Sequence, residues 1–342
     1  MTETLALQPV LARLAQRAEL TEDEAEQLFE AIVVGVASPA QIGAALMALA
    51  ARGEMAEELT AAVRVMRRHL VPISGGADAI DCCGTGGDGH GTLNISTAVA
   101  FVVAACGVPV AKHGNRAASS RSGAADVLGA LGIGVASPEQ AERMLRTHGL
   151  TFMFSPNHHP AMRAVGPIRR ELGFRTLFNL AGPLSNPAGT RRQLVGVYDP
   201  RWLMPVAEAL RRLGSISAWV VHGSDGLDEL TVTGPSEVAI LTADGVERRI
   251  VTPEDAGLPR AALADIQGGE PADNAAALVR LLEGETGAYR NIVLLNAAAA
   301  LIVAGKAANL PAGVALAAAA IDGGRARALL AAVTKDMAET TS

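Results

Sequence analysis

The sequence predicts an α/β fold: a small N-terminal helical subdomain plus a larger domain with a mostly parallel central sheet flanked by helices. Three observations carry this expectation. Residues 1–72 contain helical segments with start and stop signals but no strand pattern. Beyond Pro72 and the Gly75-Gly76 break, short β-branched runs alternate with helical periodicity. From Asn274 onward the chain is alanine-rich helix. With 342 residues, 49% hydrophobic and 19% charged, the chain can fill a large core, and we expect domains at 1–72 and 73–342.

Taken in order, residues 1–72 predict three short helices. Thr21 and Glu24 form a capping box, Ser38-Pro39 puts a hydroxyl cap before a proline at the first helical position, and Gly53 ends that helix. Strands are expected over 79–82, 108–111, 151–154, 193–198 and 216–222. Helices are expected over 94–106, 123–131, 137–148 and 202–213. Such alternation calls for a doubly wound parallel sheet. Residues 237–251 carry an Asp244-Gly245 turn between two strand-like runs, which predicts one antiparallel hairpin.

Composition excludes several classes. A net charge of -6 argues against a nucleic-acid sleeve or an anionic membrane surface, so any phosphate site must be a focused one. Cys82, Cys83 and Cys106 form neither an even disulfide framework nor a metal-ligand spacing, which points to a reducing cytoplasm. The opening Met1-Thr2-Glu3 lacks the basic and apolar regions of a secretory signal. The most apolar window, 292–305, is interrupted by Asn296 and is too short to span a bilayer, so it reads as a buried helix.

Chemistry concentrates in two loops. Ile80-Asp81-Cys82-Cys83 leads into Gly84-Thr85-Gly86-Gly87-Asp88-Gly89, with Thr92, Asn94, Ser96 and Thr97 at the head of an apolar helix. Gly84, Gly86 and Gly89 match the dinucleotide pattern GxGxxG, but the acid needed about 20 positions later to grip ribose is missing. No Walker lysine closes the segment either. What remains is a phosphate cradle, in which glycines admit a polyanion close to converging N–H groups and a helix's positive end. Asp88 would repel a bare phosphate, so it suits ribose hydroxyls or a metal-water shell. A tight turn with hydroxyl caps is the plainer alternative.

The second strand ends in Lys112-His113-Gly114-Asn115-Arg116, followed by Ser119, Ser120 and a helix from Gly123. Adjacent parallel strands would discharge both loops at their carboxyl ends, where open α/β sheets bind ligands. Lys112, Ser119 and Ser120 suit a diphosphate, one as a point charge and two as neutral donors. A solvated basic loop is the competing reading of Lys112, and a satisfied structural histidine that of His113. Asp228-Glu229 can likewise be read as a solvated acidic turn.

These motifs, with His159-Pro160-Ala161-Met162-Arg163, Arg169-Arg170-Glu171-Leu172-Gly173, Phe178-Asn179-Leu180-Ala181-Gly182-Pro183-Leu184-Ser185-Asn186-Pro187 and Gly226-Leu227-Asp228-Glu229, resemble the anthranilate phosphoribosyltransferases in content and order. The resemblance covers essentially the whole chain. It implies transfer of the 5-phosphoribosyl group of phosphoribosyl pyrophosphate to the amine of anthranilate, the second step of tryptophan biosynthesis from chorismate, with Mg²⁺ as cofactor. It further implies a cytoplasmic homodimer formed through the helical subdomain, which a segment near 165–190 joins, and a hinge between the two domains. By the same resemblance, Gly84, Gly87, Asp88, Thr92, Asn94, Ile95, Ser96, Thr97, Lys112, Asn115, Arg116, Ser119, Ser120 and Ala124 meet phosphoribosyl pyrophosphate. Gly84, His113, Asn115, His159, Met162, Arg169 and Pro183 meet anthranilate, while Ser96, Asp228 and Glu229 hold Mg²⁺. Lys112 and Asp88 support the transition state. The choice between Arg169 and Arg170 as the carboxylate contact rests on alignment alone.

One departure stands out. Where many members read Ser-Gly-Ser-Ala-Asp, this chain has Ser122-Gly123-Ala124-Ala125-Asp126, and one hydroxyl near the phosphate is missing. Two other readings compete: a pyrimidine nucleoside phosphorylase, whose Gly-Gly-Thr-x-Asp signature is absent, and a non-catalytic nucleic-acid-binding relative, which the net charge opposes.

Overall fold

The computed structural model of the chain describes residues 7–116 and 122–340. The N-terminal part corrects one expectation, because it has four helices where three were expected: α1 (Gln8–Ala15), α2 (Glu22–Val33), α3 (Pro39–Arg52) and α4 (Ala56–His69). Three left-handed backbone positions, at Arg17, Gly35 and Gly53, divide the stretch into four. The expected capping box forms at Thr21 with Glu24, and the Ser38 hydroxyl cap is part of a second box with Gln41.

The alternating region follows with β1 (Ile80–Gly84), α5 (Ile95–Ala105), β2 (Val110–Gly114), α6 (Ala124–Ala130), α7 (Pro138–His148) and β3 (Leu150–Phe154). Next come α8 (Ser155–His158), α9 (Met162–Leu172) and α10 (Leu177–Leu184), the last two running through Pro167 and Pro183, which mask them in the sequence pattern. The order continues with β4 (Arg192–Gly196), α11 (Leu203–Arg212), β5 (Ser217–Gly223) and the hairpin β6 (Ser236–Thr242) and β7 (Gly245–Val251). It closes with α12 (Pro271–Leu282), α13 (Ala288–Val303), α14 (Leu310–Asp322) and α15 (Arg325–Thr340).

The seven strands form one sheet in the order β3-β2-β1-β4-β5-β6-β7, parallel from β3 to β5 and antiparallel at β6 and β7. Strand alternation splits the apolar residues between two cores. Leu194, Trp219, Val221, Val238 and Ile240 face the core built with α5, α13 and α14. Val195, Ala218, Val220, Ala239 and Leu241 face the opposite core, shared by α1–α4, α9, α10 and α11. Phe29 of α2 meets Phe178 of α10 edge-on at 5.9 Å, so α10 is packed into the helical subdomain.

The apolar 292–305 window is the buried helix α13. Among the described residues no helix is long and apolar enough to cross a membrane.

Candidate active site

Because the sheet winds outward in both directions from the β1–β4 pair, a crevice opens at the carboxyl ends of these strands. Gly84 and Gly196 are register partners there, and each lacks the Cβ that would overlap the Asp228 turn. The acidic turn is therefore seated directly on the sheet edge. The Gly86 main-chain N–H donates to Asp228 Oδ2 at 2.7 Å, with Gly86 and Gly87 both at positive φ, and the Thr85 N–H donates to Gly196 O at 2.9 Å. The Ser96 main-chain N–H at the start of α5 acts on Glu229 in the direction that favours its carboxylate. Asp228 and Glu229 are half-buried, so they are no solvated surface turn. Desolvation, with repulsion from Asp88, raises the Asp228 carboxyl; desolvation, with repulsion from Asp228, raises that of Glu229.

Lys112 is only 3% exposed, which rules out the solvated-loop reading. Its charge acts on Asp81, Asp228 and Glu229 together. Asp81 is fully buried and accepts from the His113 main-chain N–H at 3.1 Å and Asn186 Nδ2 at 2.7 Å. Burial lifts its carboxyl to about 6, against the opposing pull of Lys112. The other amide hydrogen of Asn186 goes to Ala111 O at 2.8 Å, so this side chain ties the segment after α10 to β2.

Where β2 faces α10, the histidine rings of His113 and His159 lie 5.1 Å apart, and His113 Nδ1 meets Gly182 O at 3.2 Å, next to Pro183. Burial holds His159 down at about 4 and His113 well below its usual range, so both imidazoles are neutral at pH 7. Their Nε2 atoms are buried without hydrogen-bond partners. Met162 and His159 share a small cavity with Val33, Met66, His69 and Ala161. Two turns along α9, Arg169 is half-buried and donates to Asn179 Oδ1 at 3.0 Å, whereas Arg170 is exposed.

Not every expected residue points its side chain into the crevice. Ile95 and Thr97 are buried in the core below α5, which leaves only their main-chain groups for a ligand. Asn115 and Arg116 are exposed at the end of β2, with the Arg116 guanidinium over the Phe154 ring. Ala124 begins α6 and lines an apolar cavity with Lys112, Gly114 and Phe152. Ser119 and Ser120 lie outside the described residues.

A strap, residues 266–274, is tied to the segment that leads into α5. Thr92 pairs with Gln267 in an antiparallel bridge, Leu93 N donates to Ile266 O at 3.0 Å, and Gly268 N donates to Gly91 O at 2.9 Å. A Cβ on Gly268 would come within 2.7 Å of Thr92 O, so glycine is required for this approach. Asn274 Nδ2 then reaches Asn94 Oδ1 at 2.8 Å.

Two family descriptions match the chain: the helical bundle domain of a glycosyl transferase family over residues 8–70 and its a/b domain over 76–327. The anthranilate phosphoribosyltransferase of Methylocella silvestris is 56% identical over 95% of this chain and 93% of its own, and that of Parvibaculum lavamentivorans is 58% identical over 94% and 95%. The chain belongs to the anthranilate phosphoribosyltransferase family. The crystal structure of the family member from Thermus thermophilus superposes with a TM-score of 0.90 at 44% identity, covering 96% of this chain and 98% of that one. A Saccharomyces cerevisiae member, described in complex with PRPP and Mg, shares the fold at a TM-score of 0.88 and 24% identity over 98% and 100%.

Within this anthranilate phosphoribosyltransferase fold, sequence reasoning missed Asp81, Asn186, Gly196, Asn274 and the 266–274 strap. Two of these had a visible signal: an aspartate inside an apolar strand needs a buried partner, and paired glycines before a proline mark a close backbone approach.

Proposed function

We propose that the protein transfers the 5-phosphoribosyl group of phosphoribosyl pyrophosphate to the amine of anthranilate, giving N-(5-phosphoribosyl)anthranilate and pyrophosphate within tryptophan biosynthesis. The observation that carries this reading is the placement of the Gly84–Gly89 loop, Lys112 and the Asp228-Glu229 turn around one crevice. The neutral His113–His159 pair is anchored by the residue that follows Lys112 in β2.

In the reaction the anthranilate nitrogen attacks the anomeric carbon, the bond from that carbon to pyrophosphate oxygen breaks with its electron pair, and the amine proton passes to solvent. Aryl amine is neutral near pH 7, so the site's tasks are in-line positioning and stabilisation of the departing anion. Main-chain N–H groups of the glycine loop and Lys112 are the donors suited to pyrophosphate. Neutral His113 and His159, with Met162 and Pro183, suit an aromatic ring. Arg169 suits the carboxylate, because it is turned inward while Arg170 is not.

Asp228, Glu229 and Ser96 supply hard oxygen atoms, and half-buried carboxylates that repel each other favour a cation. Two carboxylates and a hydroxyl suit an ion that retains water and shares substrate phosphate. Bound there, Mg²⁺ would neutralise pyrophosphate charge. Two domains, 1–72 and 73–342, hinged about the 165–190 segment would let closure exclude water. Exposed Val34, Val36 and Met47 on the helical part suit a homodimer contact.

The test is the decay of anthranilate fluorescence on mixing protein, phosphoribosyl pyrophosphate and Mg²⁺, with each omitted in turn. Decay that requires all components supports the reading. Absence of decay from folded protein would overturn it.

A further inference from the structure

An amide that faces the phosphate oxygens of a substrate must present its NH₂, since its oxygen would repel the anion. At Asn94 the choice is made by neighbours whose chemistry leaves no ambiguity. The Gly269 main-chain N–H can only donate, so the Asn274 atom it meets at 2.7 Å is the oxygen, Oδ1. Asn274 Nδ2 is thereby turned toward Asn94 and donates to Asn94 Oδ1 at 2.8 Å. On the far side, the Ser122 main-chain oxygen can only accept, and it receives Asn94 Nδ2 at 3.3 Å. Two main-chain groups thus fix two amides in series. The backbone is held as well, because the Tyr289 hydroxyl donates to Asn94 O at 3.2 Å.

Asn274 is 1% exposed, sits in the first turn of α12 and touches Asn94 from the strap side. Asn94 itself is half-buried at the start of α5, and its side chain makes no cap to that helix. One hydrogen of its NH₂ goes to Ser122, and the second is available to a ligand.

We propose that Asn274 is a positioning residue for phosphoribosyl pyrophosphate. The relay from Gly269 N–H through Asn274 sets the Asn94 amide with its NH₂ toward the substrate. This rests on the reading of Asn94 as a contact to that substrate. The relay explains why the strap carries an asparagine: aspartate would satisfy Gly269 equally well but would present only acceptors to Asn94. Asn94 would then turn its NH₂ toward the aspartate and its oxygen toward the phosphate.

The experiment is calorimetric titration of phosphoribosyl pyrophosphate with Mg²⁺ into the full-length wild type, Asn94→Ala, Asn274→Ala, Asn274→Asp and the double variant Asn94→Ala/Asn274→Asp, with thermal unfolding of each. Asn274→Ala should weaken binding roughly fivefold and Asn274→Asp roughly fiftyfold or more, since a misdirected polar group costs more than an undirected one. The stability order should be the reverse, because aspartate keeps the Gly269 hydrogen bond and alanine loses it. Should the alanine variant not fold, Asn274→Ser takes its place as the reference. In the Asn94→Ala background, Asn274→Asp should cost only its added charge, roughly threefold, so that the double-mutant cycle isolates the amide orientation. Equal losses in both backgrounds, or an aspartate variant that binds no worse than the alanine one, would overturn the relay while leaving Asn94 as a contact. Wild-type affinity in Asn94→Ala would overturn the contact itself, and the relay with it.

Discussion

Gly84 and Gly196 lie opposite each other on adjacent parallel strands, and the Asp228 turn occupies the space that their missing side chains leave. A sheet edge with two facing glycines thus becomes a seat for carboxylates. At Gly196 a Cβ would overlap the Asp228 carbonyl carbon and oxygen, which are main-chain atoms with nowhere to swing. Gly196→Ala should therefore cost about 1–3 kcal/mol of stability and raise the Mg²⁺ concentration needed for half-maximal rate. Urea unfolding and a Mg²⁺ titration of the rate would check both. A variant with wild-type Mg²⁺ dependence would show that the turn does not need this seat.

Arg169 is turned into the protein and held by Asn179, while its neighbour Arg170 is exposed. Removing a charge-assisted contact to the anthranilate carboxylate should raise the anthranilate KM roughly 10- to 100-fold, because hydrogen bonds to charged groups are worth about 1.5–3 kcal/mol. The KM for phosphoribosyl pyrophosphate should change little in Arg169→Ala, and Arg170→Ala should leave both nearly intact. Steady-state kinetics with each substrate varied in turn separates these outcomes, and equal losses for both substrates would count against the assignment.

Asp81 gives a pH signature. Burial raises its carboxyl to about 6 from an ordinary 3.8, so the folded state holds this proton more tightly than the unfolded state does. The associated stability is fully present below the unfolded value and fades as pH rises through about 6, by roughly 3 kcal/mol in all. Asn at this position has no such proton, and it turns a donor toward Asn186. Asp81→Asn should therefore destabilise the protein more at pH 4.5 than at pH 7.5, as read by urea unfolding of both proteins at both values. A destabilisation independent of pH would mean that Asp81 is already ionised throughout.

Much of this arrangement could be read from local sequence. The Gly84–Gly89 loop was legible because strand, glycine and helix cap follow one another along the chain, whereas Lys112–Gly114, expected in a loop after a strand over 108–111, form the end of β2, and parallel pairing brings both strand ends to one edge. The hairpin at Asp244-Gly245 was legible for the same reason. What periodicity could not carry was pairing over long separations. Thr92 meets Gln267 and Asn186 meets Asp81 only after the whole sheet has formed. Helices α9 and α10 were hidden by Pro167 and Pro183, whose positions are tolerated because the helices pack against the N-terminal bundle. Burial likewise reversed the plain readings of Lys112 and of Asp228-Glu229, since sequence alone does not distinguish a charged residue on a surface loop from one at a crevice floor.

Asn296, the residue that interrupts the most apolar stretch of the chain, has a specific task. Fully buried in α13, it accepts from the Leu230 main-chain N–H at 2.9 Å and donates to the Leu230 carbonyl at 2.8 Å, pairing with the residue next to Glu229 as a strand neighbour would. Asn296→Leu keeps the branched shape but strands both Leu230 groups, at a cost of about 1–3 kcal/mol for each buried group left unpaired. Because the released turn carries Asp228 and Glu229, the same substitution should raise the Mg²⁺ concentration needed for half-maximal rate beyond what lost stability explains. The comparison is with Leu278→Ala, a core truncation away from the turn that costs about 2–5 kcal/mol. If both variants show the wild-type Mg²⁺ requirement at a temperature where they are fully folded, the Leu230 clamp serves the fold and not the acidic pair.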